Sequence, residues 1–382
     1  MAILHSIYLR KLDFEIELFY NGPIHRDWEK RIRSNIPLNI LPFGLPPSFN
    51  GLSNIERLIQ RLKLFDIILV HHHICPFLAS YLAIFLRSRL IWYCGEPLRA
   101  LWEDWLSGMN YRELSSTVRP TSRESYGNNF TSIFLSNKFY GVSVSSLRAL
   151  DKATAHLYTA IITNSNYTKK VVKRIYGLGK SMPVIHPGVE TQQHTQDAAN
   201  GKSDNYILAV GAMIPMKNHF TLLKAFHSLP RQYRSKVKLV VIGSGPLENE
   251  TRSLTRKLGL KNVIFKSRVS EQRLSSYYAN CSFVVHVAFN EPFGLVPVEA
   301  ALHGKPSIVS NNGGTSEFVV HGENGLLVAP HDSNNIAKAM QCLISDKKLT
   351  TEMGFKAKER ALKEFTIDKS TENLARTIKQ LC

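Results

Sequence analysis

Short β-branched apolar runs alternate with amphipathic stretches of helical length along most of the chain. In the first half, these runs cover Phe14–Tyr20, Phe65–His71, Leu90–Tyr93, Ala160–Asn164 and Pro183–His186. In the second half, they cover Tyr206–Val210, Lys238–Ile242, Val263–Lys266, Phe283–Val287, Pro306–Ser310 and Gly325–Val328. Strands separated by helix-length segments are joined by crossovers and form parallel sheets. The pattern therefore predicts an α/β protein with two doubly wound, Rossmann-like domains.

A polar segment separates the two sets of predicted strands. Residues 191–205 contain no apolar run and are predicted to form an interdomain linker. The predicted first domain covers 1–190 and the second covers 206–365, and we expect 366–382 to form a helix that packs back on the first domain. Apolar side chains at helical spacing open the chain over Ile3–Lys11, so we expect the usual first strand and Gly-rich loop to be missing.

Composition describes a soluble globular protein, because 44% of the residues are hydrophobic and 20% are charged. The five cysteines form no CxxC pair, which predicts neither a disulfide framework nor a zinc site and favours a cytoplasmic setting. The longest apolar stretch, Cys75–Leu86, is too short to span a bilayer and is predicted to be a buried helix.

Basic residues give the chain a net charge of +18, which favours anionic partners. An anionic membrane surface is one such partner, and peripheral attachment to the cytoplasmic face of a membrane is the corresponding expectation for localisation. A nucleic-acid-binding protein would rest on charge alone, and no basic tract supports it, so we predict no nucleic-acid partner. No GxGxxG motif opens either domain, which disfavours a dinucleotide dehydrogenase.

The segment Asn290–Ala300, with the sequence NEPFGLVPVEA, carries the strongest chemical signal. It follows a predicted strand and enters a helix near Pro297, where proline is tolerated in the first turn. Gly294 lets the backbone approach a ligand closely. Glu291 and Glu299 can address two ends of one extended ligand, whereas the alternative is a helix start with two incidental acids.

The second half resembles the donor domain of glycosyltransferase family 4, a retaining family with the GT-B fold. Its motifs recur in order: Val210-Gly211, Pro215-x-Lys217-Asn218, Val241–Pro246, the 290–300 segment, Gly304-Lys-Pro306, Asn312–Glu317 and His321–Leu327. The first half matches more loosely, at Trp92–Pro97 and Thr163–Tyr167. The resemblance implies two Rossmann-like domains that face a central cleft.

The resemblance also assigns roles to individual residues. It implies that Glu291 hydrogen-bonds the donor sugar, that Glu299 accepts from ribose hydroxyls and that Lys217 neutralises the diphosphate. Lys217 and Glu291 are the implied catalytic pair. The implied donor-binding set is Gly211, Lys217, Glu291, Phe293, Gly294, Leu295, Glu299, Gly313, Gly314 and Thr315, with backbone N–H groups acting at 293–295. Gly243 and Gly245 are weaker phosphate-loop candidates, and a plain strand-to-helix turn is their favoured role.

Acceptor-side candidates lie in the first half: His71, His73, Gly95 and Glu96. Metal binding by the His71–His73 run is not expected, because adjacent histidines on a strand point to opposite faces. Gly95 stands where the family often has histidine, and Ala212 stands where it usually has an arginine.

The resemblance implies a retaining hexosyltransferase that moves a hexose from a nucleoside-diphosphate sugar to a hydroxyl of a glycan or lipid-linked acceptor. It would need no cofactor and no metal, and mannosyl transfer in polysaccharide biosynthesis is the expected setting. The alternative is a catalytically weakened GT-B protein that binds the donor or a partner without efficient turnover. The residues Ala212 and Gly95, together with the missing Gly-rich first loop, motivate that alternative.

Overall fold

The structure is a computed structural model that describes residues 2–21, 26–41, 59–71, 86–97, 102, 144–179, 181–191 and 205–381. The chain divides into two compact units. The first unit comprises Met1–His186 together with Ser370–Cys382, and the second comprises Pro187–Lys369. Of the predicted linker, residues 192–204 lie outside the described part, as do residues 75–85 of the predicted helix Cys75–Leu86.

In the first unit, the elements are α1 (Ala2–Arg10), β1 (Leu18–Asn21), α2 (Arg26–Arg33), β2 (Leu38–Leu41), β3 (Ile67–Val70), β4 (Arg89–Cys94), α3 (Val144–Ala155), β5 (Ala160–Thr163) and α4 (Asn166–Tyr176). Strands β1 and β2 pair in parallel, and β3, β4 and β5 form a parallel sheet in that order. Ser165 caps α4 by accepting from Thr168 N, and Gly177 ends the helix with φ of 65°.

The remaining elements are β6 (Tyr206–Val210), α5 (His219–Ser228), α6 (Arg231–Arg234), β7 (Lys238–Ile242), α7 (Glu248–Lys257), β8 (Val263–Lys266), α8 (Glu271–Asn280), β9 (Phe283–His286), α9 (Val296–Leu302), β10 (Ser307–Ser310), β11 (Gly325–Val328), α10 (Ser333–Ser345), α11 (Lys347–Glu364) and α12 (Ile367–Leu381). Short 3₁₀ helices cover Pro215–Lys217 and Gly314–Glu317. The six strands form one parallel sheet in the order β11-β10-β9-β6-β7-β8. The prediction of parallel α/β sheets is confirmed.

Apolar side chains on the strands of the second unit pack against helices on both faces of the sheet. One cluster holds Ile207 and Leu239 with Phe226 of α5, and another holds Leu208 and Val240 with Tyr278 of α8. Neighbouring residues along a strand therefore enter opposite layers, as expected for a strand buried on both faces.

Helix α12 supplies part of the core of the first unit. Its Leu374, Ala375 and Ile378 are buried in one cluster with Leu9 of α1 and Ile91 of β4. Helices α1 and α12, which lie far apart in the sequence, therefore both contribute to the hydrophobic layer behind β3–β5.

Two predicted strands of the first half differ from the structure. Pro183–His186 is not a strand, since only an isolated bridge joins Val184 to Thr163 at the end of β5. The predicted strand Phe14–Tyr20 begins only at Leu18, because Asp13 adopts φ of 64° and turns the chain after α1. Strand β2 was not predicted. Among the described residues, every helix is too short or too polar to cross a membrane.

Candidate functional site

Three loops at one edge of the second sheet carry the predicted donor-binding residues. They follow β6, β9 and β10, which are neighbours at the centre of the sheet. In open parallel sheets, ligands bind beyond the carboxyl ends of the strands, where such loops meet. The fold therefore brings Gly211, Lys217, the 291–299 segment and the 313–315 segment to one edge.

Asn218 fastens the loop after β6 to the loop after β9. Its backbone adopts φ of 58°, and its buried side-chain amide donates to Val287 O at 2.9 Å and to Pro330 O at 2.7 Å. Phe289 N adds a hydrogen bond to Met216 O at 2.8 Å. The short turn that precedes Asn218 is thereby held against the residues that lead from β9 into the 290–300 segment.

Gly313 and Gly314 pack directly on the backbone of the same segment. Gly314 N donates to Glu291 O at 2.7 Å. A Cβ on Gly313 would lie 2.7 Å from Glu291 O, and one on Gly314 would overlap Pro292 O. The glycine pair therefore permits the close approach of two loops that shape the site.

Glu291 is the centre of a charged cluster. Lys217 Nζ donates to Glu291 Oε2 at 2.6 Å, and the two side chains are only 17% and 11% exposed. His286 Nε2 lies 3.7 Å from the same oxygen, which is beyond hydrogen-bonding range. Burial alone would raise the pKa of Glu291, but His286 and Lys217 outweigh it and lower that pKa to about 2. Glu291 is therefore a buried, ionised acceptor.

Glu299, one turn into α9, has a different partner. Tyr278 on α8 donates its hydroxyl to Glu299 Oε2 at 2.7 Å. Burial raises the pKa of Glu299, while this hydrogen bond acts in the opposite direction. The buried Tyr278 ring stacks on His303 with a centroid distance of 5.9 Å, so the hydroxyl is held in place.

Gly294 lies between the cluster and the 3₁₀ helix after β10. Its φ is +79°, and a Cβ there would lie 2.5 Å from Thr315 Cγ2, 3.0 Å from Glu291 Cγ and 3.5 Å from His286 Nε2. Among the described residues, His286 Nε2 and Thr315 Oγ1 are two of several buried side-chain atoms without a hydrogen-bond partner, and both belong to side chains that border Gly294. Because buried polar groups are nearly always paired, two unpaired atoms beside one glycine are consistent with a ligand site.

The remaining predicted donor-site residues differ in whether their side chain or their backbone faces the site. The Phe293 side chain is buried and stacks on Phe365 at 5.9 Å, so it faces the core. The backbone N–H groups of Gly294 and Leu295 donate to no acceptor in the described protein. Gly211 contacts the Lys217 stem, since a Cβ on it would lie 3.5 Å from Lys217 Cδ.

The weaker phosphate-loop candidates pack against protein instead. A Cβ on Gly243 would overlap Gly211 O, and one on Gly245 would lie 2.7 Å from Met213 O. Met213 N also donates to Ser244 O at 3.0 Å. These glycines therefore allow the loops after β6 and β7 to pack closely.

The acceptor-side candidates belong to the first unit. His71 directly follows β3, and its ring lies 4.9 Å from that of Tyr93 and 5.4 Å from that of His5. Gly95 and Glu96 are half-buried after β4, and a Cβ on Gly95 would make only an ordinary 3.8 Å contact. His73 lies outside the described residues. In the described part, no three His, Cys, Asp or Glu side chains are grouped as metal ligands.

Sequence reasoning missed His286, Tyr278 and the locking role of Asn218. His286 had a readable signal, because it is a polar residue that ends an apolar strand beside the predicted site. Tyr278 had none, since its relation to Glu299 depends on how α8 packs against α9.

Two Rossmann-like units, with carboxylates and a lysine gathered at the sheet edge of the second, define the GT-B class of fold. A crystal structure of Anabaena Alr3699/HepE in complex with UDP and glucose is similar over 99% of this chain and 95% of that chain, with a TM-score of 0.73 and 19% identity. Residues 190–360 match the family described as glycosyl transferases group 1. Over these residues, the second unit is therefore similar to the group 1 glycosyltransferases.

Curated relatives match over part of their length. The chain is 32% identical over 205 residues to the D-rhamnosyltransferase WbpZ of Pseudomonas aeruginosa, covering 52% of this chain and 51% of that protein. It is 26% identical over 264 residues to the alpha-1,3/1,6-mannosyltransferase alg-2 of Neurospora crassa, covering 58% of this chain and 56% of that protein. The chain thus spans about half the length of the curated relatives it matches.

Proposed function

We propose that this chain is a retaining, metal-independent hexosyltransferase that moves a hexose from a nucleoside-diphosphate sugar to a hydroxyl of a glycan or lipid-linked acceptor. The observation that carries the proposal is the buried Glu291–Lys217 pair beside the unpaired atoms around Gly294. A buried cation and a buried carboxylate are the groups that a diphosphate and a sugar hydroxyl require. Retention and independence of metal rest on the family resemblance.

Lys217 supplies the charge that the leaving group needs. When the bond from the sugar to the diphosphate breaks, negative charge grows on the departing oxygen, and a fixed cation stabilises that charge. The ammonium lies on a flexible four-carbon stem that passes over Gly211. It can therefore exchange its bond to Glu291 for one to a phosphate oxygen.

Glu291 fits the sugar. An ionised carboxylate only accepts hydrogen bonds, and sugar hydroxyls donate them. Both close contacts of Glu291 use Oε2, so Oε1 remains available. The N–H groups of Gly294 and Leu295 and the Thr315 hydroxyl can complete the hydrogen bonds of the sugar and diphosphate.

Glu299 fits the ribose of the same ligand. Tyr278 occupies Oε2 and leaves Oε1 to accept from a ribose hydroxyl. Glu299 lies eight residues beyond Glu291, so the two carboxylates can contact the nucleoside end and the sugar end of one donor molecule.

The class of donor and acceptor follows from the relatives and from charge. A mannosyltransferase and a D-rhamnosyltransferase are among the relatives, and a similar fold binds UDP and glucose. These names support a nucleotide-activated hexose, with mannose the first to test. The net charge of +18 favours an acceptor presented on an anionic surface.

The test is incubation of the full chain with tritiated UDP-glucose and GDP-mannose, with and without lipid-linked glycan acceptors and in the presence of EDTA. We expect transfer or slow donor hydrolysis, with the anomeric configuration of the donor retained by NMR. Lys217→Ala should lower turnover about hundredfold. The exposed Lys224 of α5 provides the matched control, since Lys224→Ala removes an equal charge elsewhere.

Absence of both binding and turnover with every donor would overturn the proposal. Binding without turnover would instead favour the weakened protein suggested by Ala212, which is exposed after β6. Ala212→Arg should then raise turnover. Loss of activity in EDTA would refute metal independence alone.

A further inference from the structure

His286 is the buried imidazole at the end of β9, and its role is not explained by the core. Its side chain is 4% exposed, and it ends the strand that lies between β10 and β6. Its Nε2 atom is buried without a hydrogen-bond partner among the described residues. The same atom lies 3.5 Å from the point that a Cβ on Gly294 would occupy, so it is directed into the proposed site.

Lys217 and His286 approach the same carboxylate oxygen. Lys217 Nζ lies 2.6 Å from Glu291 Oε2, and His286 Nε2 lies 3.7 Å from it. The lysine makes a charge-assisted hydrogen bond, whereas the imidazole stops short of one. A shift of about 1 Å would bring the Nε2 to Oε2 distance into the normal range for a hydrogen bond.

A bound diphosphate would compete for one of these contacts. Its phosphate oxygens compete with Glu291 for the Lys217 ammonium, which must turn away from the carboxylate to meet them. The Glu291 side chain is only 11% exposed, and a buried carboxylate left without a partner is strongly unfavourable. His286 is the polar group already placed beside the abandoned oxygen.

We propose that His286 is a positioning residue that takes over Glu291 Oε2 when a diphosphate draws Lys217 away. This inference rests on the proposed function, because it assumes that the ligand carries a diphosphate. The imidazole Nε2–H then donates to Oε2 and keeps the carboxylate in place. Oε1 stays directed at the sugar, so Lys217 can serve the leaving group without loss of the sugar contact.

A double-mutant cycle with inorganic pyrophosphate in EDTA tests the exchange on the full chain without any sugar. His286→Leu keeps a similar volume and removes the donor, and it should weaken pyrophosphate binding about ten- to hundredfold, the range for a hydrogen bond to a charged group. In a Glu291→Gln background, no charge is abandoned, so adding His286→Leu should change affinity less than about threefold. His286→Gln restores an N–H donor and should recover most of the affinity.

A spectroscopic signature separates positioning from a merely structural role. In protein labelled with ¹⁵N-histidine, the His286 signal is the one missing from His286→Gln. Pyrophosphate should shift it to the range of a hydrogen-bonded, protonated Nε2, and the shift should be absent in Lys217→Ala, where no ammonium leaves Glu291.

The inference is overturned if His286→Leu leaves pyrophosphate affinity unchanged, or weakens it equally with and without the Glu291 carboxylate. The proposed function fails separately, if the wild type neither binds nor turns over UDP-glucose or GDP-mannose. With turnover present, His286→Leu should lower kcat more than it changes KM. Equal melting temperatures of the Leu and Gln variants would show that unfolding does not cause the difference.

Discussion

Replacing Gly294 with alanine should damage the site far more than the same change at a matched glycine. Gly294 has φ of +79°, and the new methyl group would lie 2.5 Å from Thr315 Cγ2 and 3.0 Å from Glu291 Cγ. Carbon atoms in contact prefer about 3.5–4.0 Å, so both neighbours must move. Gly322 has the same φ of +79° with nothing within 4 Å, so Gly322→Ala isolates the backbone cost.

The magnitude is the sum of two effects. An alanine in the left-handed region costs about 1 kcal/mol, and this cost applies at both positions. Overpacking a filled site costs about 1–3 kcal/mol more, and this second cost applies only at Gly294. We therefore expect a loss of about 1 kcal/mol in the free energy of unfolding for Gly322→Ala and about 2–4 kcal/mol for Gly294→Ala.

Thermal unfolding of the full chain can assign the loss to one unit. All four tryptophans, Trp28, Trp92, Trp102 and Trp105, belong to the first unit. Tryptophan emission therefore reports the first unit, whereas far-UV circular dichroism reports both. Gly294→Ala should lower the unfolding temperature seen by dichroism for the second unit and leave the transition seen by tryptophan emission unchanged.

Thr315→Ser provides the decisive comparison, because it deletes the Cγ2 atom and keeps the hydroxyl. Added to Gly294→Ala, it should recover about 1 kcal/mol, while added to Gly322→Ala it should recover nothing. The reasoning is refuted if the two alanine variants are equally stable, or if the serine gives no recovery specific to position 294.

Three further changes test other contacts. Because the pKa of Glu291 falls from 4.5 to about 2 on folding, its contribution is complete above pH 4.5 and is lost as the pH falls towards 2. The stability difference between wild type and Glu291→Gln should therefore shrink over that interval by about 3 kcal/mol in thermal unfolding, and a constant difference would contradict the pKa. Tyr278→Phe removes the hydroxyl that holds Glu299, so calorimetry should show about tenfold weaker binding of UDP or GDP and no change for the 2′,3′-dideoxy nucleotide. Asp151→Ala removes the oxygen that accepts from the Trp102 indole at 2.6 Å and from the Tyr176 hydroxyl at 2.9 Å, so the first unit should lose about 3 kcal/mol by tryptophan emission, and an unchanged emission transition would count against this anchor.

The second unit followed closely from sequence because its strands are buried on both faces. The predicted limits of Tyr206–Val210, Lys238–Ile242 and Gly325–Val328 equal the observed ones. Continuous β-branched runs between polar turns leave little freedom for their boundaries. In the first unit, Pro183–His186 looked like a strand, yet it only bridges the end of β5, and that outcome depends on tertiary pairing.

The site could be predicted as a set of residues but not as a set of contacts. The spacing of Glu291 and Glu299 placed both near one loop, and Lys217 followed from its motif. The hydrogen bond between Lys217 and Glu291 spans 74 positions, and that between Tyr278 and Glu299 spans 21. Such pairings arise when β6, β9 and α8 pack, so no local pattern could show which oxygen of each carboxylate is occupied.

The first unit is assembled from two separate chain segments, and this also sets the order in which the chain can fold during synthesis. Its core needs Leu374, Ala375 and Ile378 of α12, which the ribosome makes only after residues 187–369. At about 5–20 residues per second, those residues take about 10–40 seconds to make. Throughout that time, the apolar face of β4 and β5 lacks the part of its cover that α12 supplies, while the second unit has all of its own strands as soon as it emerges. The unit that is translated first is therefore the last to be completed.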